Sequence, residues 1–280
     1  MANEFPDTPP RRTLRPTRRG FLVLLIGIAL VVAAAVLVPL LTRRPKAERA
    51  RQLVIPEGRR ASQVYAAVDK TLAVASGTTE KAAGAADLPL PAEAKGNPEG
   101  YLFPATYPVT SDTTPQSLLR YMVDTAVERF GADHITAGAQ RNGVSVYQTV
   151  TIASIVQAEA DTDDDMGKVA RVIYNRLERG MPLQMDSTLN YALNRSTLET
   201  TTGDTKIDSP YNSYERKGLP PTPIGNPGEQ AMTAAITPTP GSWLYFVTVA
   251  PGDTRFTSSY AEHQRNVEEF NRNRSSASDG

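Results

Sequence analysis

The chain has 280 residues, 40% hydrophobic and 21% charged, and its 30 basic and 30 acidic side chains cancel to a formal net charge of zero. That is globular composition, enough for one good-sized domain and a smaller companion. The lack of cysteine excludes disulfides, thiol nucleophiles and Cys-based zinc sites, and with only His134 and His263 and no HExxH, GxSxG, Gly-rich phosphate loop or GxGxxG, neither metal nor cofactor is expected.

The neutral total hides an asymmetry. Residues 1–52 hold 10 of the basic and 3 of the acidic side chains, which leaves 20 basic against 27 acidic, a net charge of −7, on the rest. A net acidic body argues against nucleic acid as a ligand and suits a neutral or mixed-charge polymer. Residues 20–41, GFLVLLIGIALVVAAAVLVPLL, carry no charge and at ~1.5 Å per residue are long enough to cross a ~30 Å hydrocarbon layer. They read as a single-pass transmembrane helix in contact with a lipid bilayer, since a cleaved signal peptide has a shorter apolar core of about 7–15 residues and a small-residue cleavage site. Arginines flank the run on both sides, so the positive-inside rule does not orient it, and the Pro- and Arg-rich tail, residues 1–19, is placed in the cytoplasm.

Beyond the anchor, QLVIPEG (52–58) predicts a strand and turn, and ASQVYAAVDKTLAVA predicts a helix. Residues 76–100, rich in Ala, Gly, Pro and Glu, read as a weakly structured connection, and GYLFPATYPV (100–109) as extended chain. Leu118, Leu119, Met122, Val123, Ala126 and Phe130 recur at helical spacing, with Gly131 as the stop.

The helix from Ser145 to Ala160 carries an apolar stripe through Val146, Tyr147, Val150, Ile152, Ile155 and Val156 and ends with Glu159. Glu159 follows Ile152, Ile155 and Val156 by seven, four and three positions, so it continues their face. Burial and the negative end of the helix dipole both favour the protonated form, which is what a general acid near neutral pH requires. The ordinary alternative is a glutamate snorkelling to solvent past a helix end.

Asp161 to Asp165 lack the Gly and Glu that a calcium loop needs at positions six and twelve, where Met166 and Val172 stand, so this stretch reads as a solvated acidic loop. The next helix sets Val169, Val172, Ile173 and Leu177 on one side, with Asn175 and Arg176 away from the centre of that stripe, and stops at Gly180. In MPLQMDSTLNYAL, Asp186 or Ser187 can serve as an N-cap. That leaves unexplained why polar Gln184 and Asp186 alternate with Leu183 and Met185, so a substrate-facing role stays open. Residues 211–228, YNSYERKGLPPTPIGNPG, have no period and read as a shaped loop whose Tyr and Asn side chains suit a sugar chain, or as a rigid connector. A helix starting near Pro227, two strands (SWLYFVTV and TRFTSS), a helix opened by a Ser259–Glu262 capping box, and a disordered tail at 273–280 complete the chain.

IASIVQAEA, VARVIYNRLERGMPLQMDSTLNYAL, YNSYERKGLPPTPIGNPG, WLYFVTV, AEHQRNV and the earlier EGYLFPATY stand in the order and spacing of one family. Over about residues 95–271 the chain resembles the YceG-like, or MltG-like, endolytic murein transglycosylases. The resemblance implies an α+β fold: a single-pass N-terminal transmembrane helix at 20–41, a linker and reduced LysM-like subdomain at 42–98, then a mixed α/β YceG-like catalytic domain at 99–272. It places the catalytic glutamate on Glu159, and gives Asn175, Gln184, Asp186, Tyr211, Asn212 and Tyr214 the task of orienting sugar. Gln157 stands where the family commonly has an acidic residue, the Glu-Arg pair that usually opens the next helix is replaced around Asp165 and Met166, and the LysM-like region is only a remnant around Val54 to Val74.

The implied reaction is cleavage of the MurNAc–GlcNAc β-1,4 bond in nascent peptidoglycan, with a 1,6-anhydromuramoyl product and no water consumed. The implied location is the inner (plasma) membrane with the catalytic domain outside. The implied partners are peptidoglycan strands, penicillin-binding proteins and elongation or division machinery. Two other readings stay open: a hydrolytic muramidase with Asp186 as second carboxylate, and a non-catalytic scaffold for wall synthesis.

Overall fold

The computed structural model describes residues 51–195 and 201–278, together with Leu22, Gly27, residues 29–33 and Ala35 of the N-terminal stretch. Residues 1–49 and 50–280 form separate compact units. The expected cytoplasmic tail and most of the expected span at 20–41 lie outside the described residues, and among those that are described no helix is long and apolar enough to cross a membrane.

Strand β1 (Arg51–Val54) pairs antiparallel with β2 (Thr106–Val109), Arg51 opposite Val109 and Val54 opposite Thr106. This pairing joins the expected LysM-like remnant to the expected catalytic domain in one sheet. Helices α1 (Ala61–Leu72), α2 (Thr78–Ala85) and α3 (Pro115–Phe130) cover it. Leu53, Ile55, Val64, Val68, Tyr107 and Leu119 share one apolar core across the boundary expected at 98, which is therefore no break in packing.

Helix α2 corrects the expectation of a weakly structured 76–100. Its Thr-Thr-Glu-Lys-Ala-Ala-Gly-Ala sequence has no local side-chain cap. Asp69 of α1 supplies one, accepting from Gly77 N–H at 2.7 Å, Thr79 N–H at 2.8 Å and the Thr79 hydroxyl at 2.5 Å. A cap delivered from another helix leaves no signature in the capped segment.

Helix α4 (Asp133–Arg141) leads to α5 (Val146–Glu159), which Ser145 caps by a reciprocal box with Gln148. Helices α6 (Asp163–Glu178), α7 (Asp186–Ala192) and α8 (Glu229–Ile236) follow. Helix α5 packs against α4, α6, α7 and α8 and is buried from Thr149 through Val156, so the stripe expected on one face is apolar cover on every face. Asp163 and Asp164 are solvent-exposed as expected, but Asp163 to Asp165 form the first turn of α6, capped by Thr162, and not a loop; three carboxylates there complement the positive end of the helix dipole.

The hairpin β3 (Tyr245–Ala250) and β4 (Asp253–Thr257) packs on α9 (Tyr260–Ser278). Half of the expected capping box forms, Ser259 Oγ accepting from Glu262 N–H at 3.3 Å, while the Glu262 carboxylate takes the Thr257 hydroxyl at 2.6 Å. The tail expected to be disordered continues α9 to Ser278, and Asn273 ties it to the Val249 carbonyl.

Candidate functional site

Glu159 is the last residue of α5, and Ala160 after it is extended. Helix α5 is fixed on all sides, so its end is a rigid mount. The Glu159 side chain is half-buried, and desolvation raises its pKa above the ordinary carboxylate value. Contacts to Ser187 pull the other way, and the charge of Asp186 raises it further. The firm contact is the Ser187 N–H, which donates to Glu159 Oε1 at 3.1 Å. The Ser187 hydroxyl lies near enough to affect the carboxylate but makes no hydrogen bond of good geometry and is buried without a partner.

The segment that presents Ser187 runs from the end of α6 into α7. Leu183 and Met185 point into the core at 0% and 2% exposure, so Gln184 and Asp186 must alternate outward, which accounts for the interleaving seen in the sequence. Gln184 takes a left-handed backbone, φ 51°, at a residue with no glycine to ease it. Its N–H donates to the Ser213 carbonyl at 2.9 Å, the Met185 N–H to Ser213 Oγ at 2.9 Å, and Thr188 Oγ1 lies 2.8 Å from that same hydroxyl. Ser213 thus holds the 183–188 segment against the 211–228 loop.

Asp186 is the first residue of α7, not its cap; Met185 occupies that position. The Asp186 carboxylate accepts the Tyr214 hydroxyl at 2.5 Å. Burial, then this bond, drives the Tyr214 pKa upward, so the phenol stays a donor. Glu159, Ser187, Asp186 and Tyr214 therefore form one continuous cluster, with Gln184 beside it.

The other expected residues have different tasks. Asn175 lies twelve residues into α6 from Asp163, about 18 Å along the helix, and its amide donates to the Gly241 and Trp243 carbonyls. Asn212 is fully buried and its side-chain amide is spent on Thr205 O, Ile207 O and the Tyr214 N–H, so it shapes the loop. Tyr211 is half-buried, its hydroxyl 2.9 Å from Thr222 Oγ1 and its ring 4.9 Å from that of Tyr191. With Ser213, Lys217 and Leu219 it lines a cavity of about 470 Å³ whose walls include neither Glu159 nor Asp186.

Arg176 corrects the expectation that it falls away from the apolar stripe. It is 6% exposed, and its guanidinium donates to the carbonyls of Leu244, Pro182 and Leu183 at 2.6, 3.1 and 2.8 Å and to Gln184 Oε1 at 3.0 Å, with the Tyr245 ring 5.2 Å away. Arg176 follows Val172 and Ile173 by four and three, the spacing that singled out Glu159, so the signal was present. The far end of the 211–228 loop is stitched to α5: Ser154 Oγ accepts the Ile224 N–H and Gln157 Oε1 the Gly228 N–H. Gln157 thus uses an amide oxygen where a carboxylate oxygen would serve equally.

Among the described residues no group of three or more His, Asp and Glu side chains could hold a metal ion. The arrangement supplies one mounted carboxyl group, one backbone donor and one neighbouring carboxylate tied to a phenol, a set that can donate a proton to a leaving oxygen.

Comparison with known proteins bears on this geometry. A protein of Bacillus subtilis (strain 168) named endolytic murein transglycosylase is 38% identical over 176 residues, 61% of this chain and 48% of that protein. One of the same name from Streptococcus pneumoniae (strain D39) is 38% identical over 177 residues, 61% of this chain and 32% of that one. The chain thus spans about half, or less, of the length of these relatives. The crystal structure of a YceG-like protein from Listeria monocytogenes superposes with a TM-score of 0.67 at 31% identity, covering 77% of this chain and 75% of that one. The YceG-like family model matches residues 31–269, and the chain belongs to that family.

Proposed function

We propose that the protein is a membrane-anchored endolytic lytic transglycosylase that cleaves MurNAc–GlcNAc β-1,4 bonds in nascent peptidoglycan. The observation that carries this reading is the half-buried Glu159, whose pKa burial raises, at the end of a helix held on every side. The relatives named endolytic murein transglycosylase support the substrate class. Glu159 in its acid form protonates the glycosidic oxygen. As carboxylate it then accepts the proton of the muramoyl C6 hydroxyl, which closes a 1,6-anhydro ring on C1 as the glycosidic bond breaks. The nucleophile belongs to the substrate, so one protein carboxylate suffices.

The Ser187 N–H stabilises the carboxylate formed midway. Gln184, Asp186 and Tyr214 orient the sugar, and Tyr211 extends the binding surface along the loop. The uncharged run at 20–41 anchors the chain in the plasma membrane with the catalytic domain outside, where the local concentration of emerging glycan is high. Penicillin-binding proteins and elongation or division factors are the partners this placement implies.

The nearness of Asp186 favours one second reading, a hydrolytic muramidase with Asp186 as the other carboxylate. The tight bond from Tyr214 weighs against Asp186 as a free base. Digestion of purified sacculi by the full-length protein in detergent, read by mass spectrometry, separates them. Anhydromuramoyl ends that vanish with Glu159→Gln support the lyase; reducing ends without anhydro products refute it.

A further inference from the structure

Outside the cluster just described, Glu99 is a buried carboxylate that joins separate elements. It is 4% exposed. Its Oε1 accepts the Ala61 N–H at 2.9 Å, from the first residue of α1, and its Oε2 accepts the Tyr191 hydroxyl at 3.1 Å, from α7. Arg60 closes the arrangement from above. Its guanidinium lies 5.2 Å from the Tyr191 ring and donates to Asn194 Oδ1 and, at 2.7 Å, to the Arg195 carbonyl, both just past the end of α7. Gly100, next to Glu99, has φ +85°, and a Cβ there would stand 2.5 Å from Pro223, so the backbone carrying Glu99 is fixed as closely as its side chain.

Helix α7 is only seven residues long, too short to hold itself in place. Its first turn carries Ser187, whose N–H meets Glu159, and its last turn carries Tyr191, whose hydroxyl meets Glu99. One small lever therefore links the buried Glu99 to the half-buried Glu159.

We propose that Glu99 and Tyr191 are a positioning pair that sets the orientation of α7 and thereby the hydrogen bond from Ser187 to Glu159. The inference deepens the glycan-cleaving reading above and rests on it for its kinetic consequence alone. Ionised Glu99 accepts both bonds at once. A proton on Oε2 would oblige the Tyr191 hydroxyl to turn round, and one on Oε1 would compete with the Ala61 N–H. Burial raises the Glu99 pKa to about 7, with the Ala61, Tyr191 and Arg60 contacts opposing it, so this carboxyl titrates near neutrality. The charged and titratable groups facing it are Arg60 ahead of α1, Tyr65 in α1 and Tyr191 in α7.

The conservative variant separates positioning from mere stability. Glu99→Gln keeps size and hydrogen bonding but removes a charge that is costly to bury, so at pH 8 the variant should be at least as heat-stable as the native protein. Its kcat on sacculi should nevertheless fall, by about 10- to 100-fold, with KM little changed, and the acidic limb of the native pH profile near 7 should disappear. Tyr191→Phe, which keeps the ring and loses the bond, should share the kcat loss.

A second readout needs no turnover. In Glu-labelled protein followed by carbon NMR, the Glu159 carboxyl should titrate higher in both variants, because the Ser187 donor that favours its ionised form is displaced. Upward movement in both variants supports the pair. An unmoved or lowered Glu159 titration, or a kcat loss matched by an equal loss of stability, overturns it. Native protein that makes no anhydro product refutes the proposed function, while the Glu159 titration still decides the positioning role.

Discussion

Ser187 reaches Glu159 with a backbone donor and not with its hydroxyl: the N–H stands 3.1 Å from Oε1, while the buried Oγ has no partner. A side chain could be rotated away, but a backbone N–H in a helix's first turn moves only with the helix. The acid's environment is thus set by where α7 sits.

Glu159→Gln should abolish anhydromuramoyl product and at the same time stabilise the fold above the ordinary carboxylate range. The folded-state pKa is raised, so the folded protein binds the proton more tightly than the unfolded chain, and native stability falls as pH rises from the unfolded toward the folded pKa. Gln cannot ionise and escapes that loss. Urea unfolding at pH 5 and pH 8 checks this; a Gln variant less stable than the native protein at pH 8 would show that Glu159 is not held as an acid. Activity should likewise decline with rising pH as the acid form is lost.

Tyr214→Phe frees Asp186 from its 2.5 Å bond. The released charge faces Glu159 and should raise its pKa further, shifting the alkaline limb of the activity profile upward while reducing kcat about 10-fold through lost sugar orientation. A profile that shifts downward would mean that Tyr214 does not screen the two carboxylates from each other.

The sequence made much of this legible, and the failures share a cause. The place of Glu159 at a helix end and the stop at Gly131 were visible because each depends on neighbours within one helical turn. The family resemblance gave Asn175 and Asn212 the task of orienting sugar, yet both amides are spent on backbone carbonyls that only the fold brings near. Helix α2 was missed because its cap comes from α1, and Glu99 because NPEGYLFP has no period and its partners, Ala61 and Tyr191, lie 38 and 92 residues away. Arg176 alone was missed although its spacing carried the signal.

Arg176→Lys should cost roughly 2–3 kcal/mol and lower activity together. Lysine keeps the charge but cannot span Leu244, Pro182, Leu183 and Gln184 with one planar fork, so buried carbonyls lose their donor. Because the Pro182 and Leu183 carbonyls lie in the segment that carries Gln184 and Asp186, loss of stability without loss of turnover would separate that segment from the site. Denaturant midpoints and sacculus digestion on the same preparation check both.

Asp69→Ala removes the cap that α1 lends to α2 and should destabilise the protein by about 2 kcal/mol, the upper range for an N-cap, since three donors lose their acceptor. Burial pushes the Asp69 carboxyl up, but hydrogen bonds from Thr79, Gly77 and Thr78 outweigh it and leave the pKa lowered from 3.8. The sign then follows. The folded state holds the proton less tightly than the unfolded chain, so the contribution is complete above 3.8 and is lost as pH falls through the folded pKa. The difference in unfolding free energy between native and Asp69→Ala protein should be constant from pH 8 to pH 5 and shrink below about 4. Amide exchange in 78–85 should accelerate in the variant while that in α5 stays slow, because α2 joins the core beneath the β1–β2 sheet and not the one around α5.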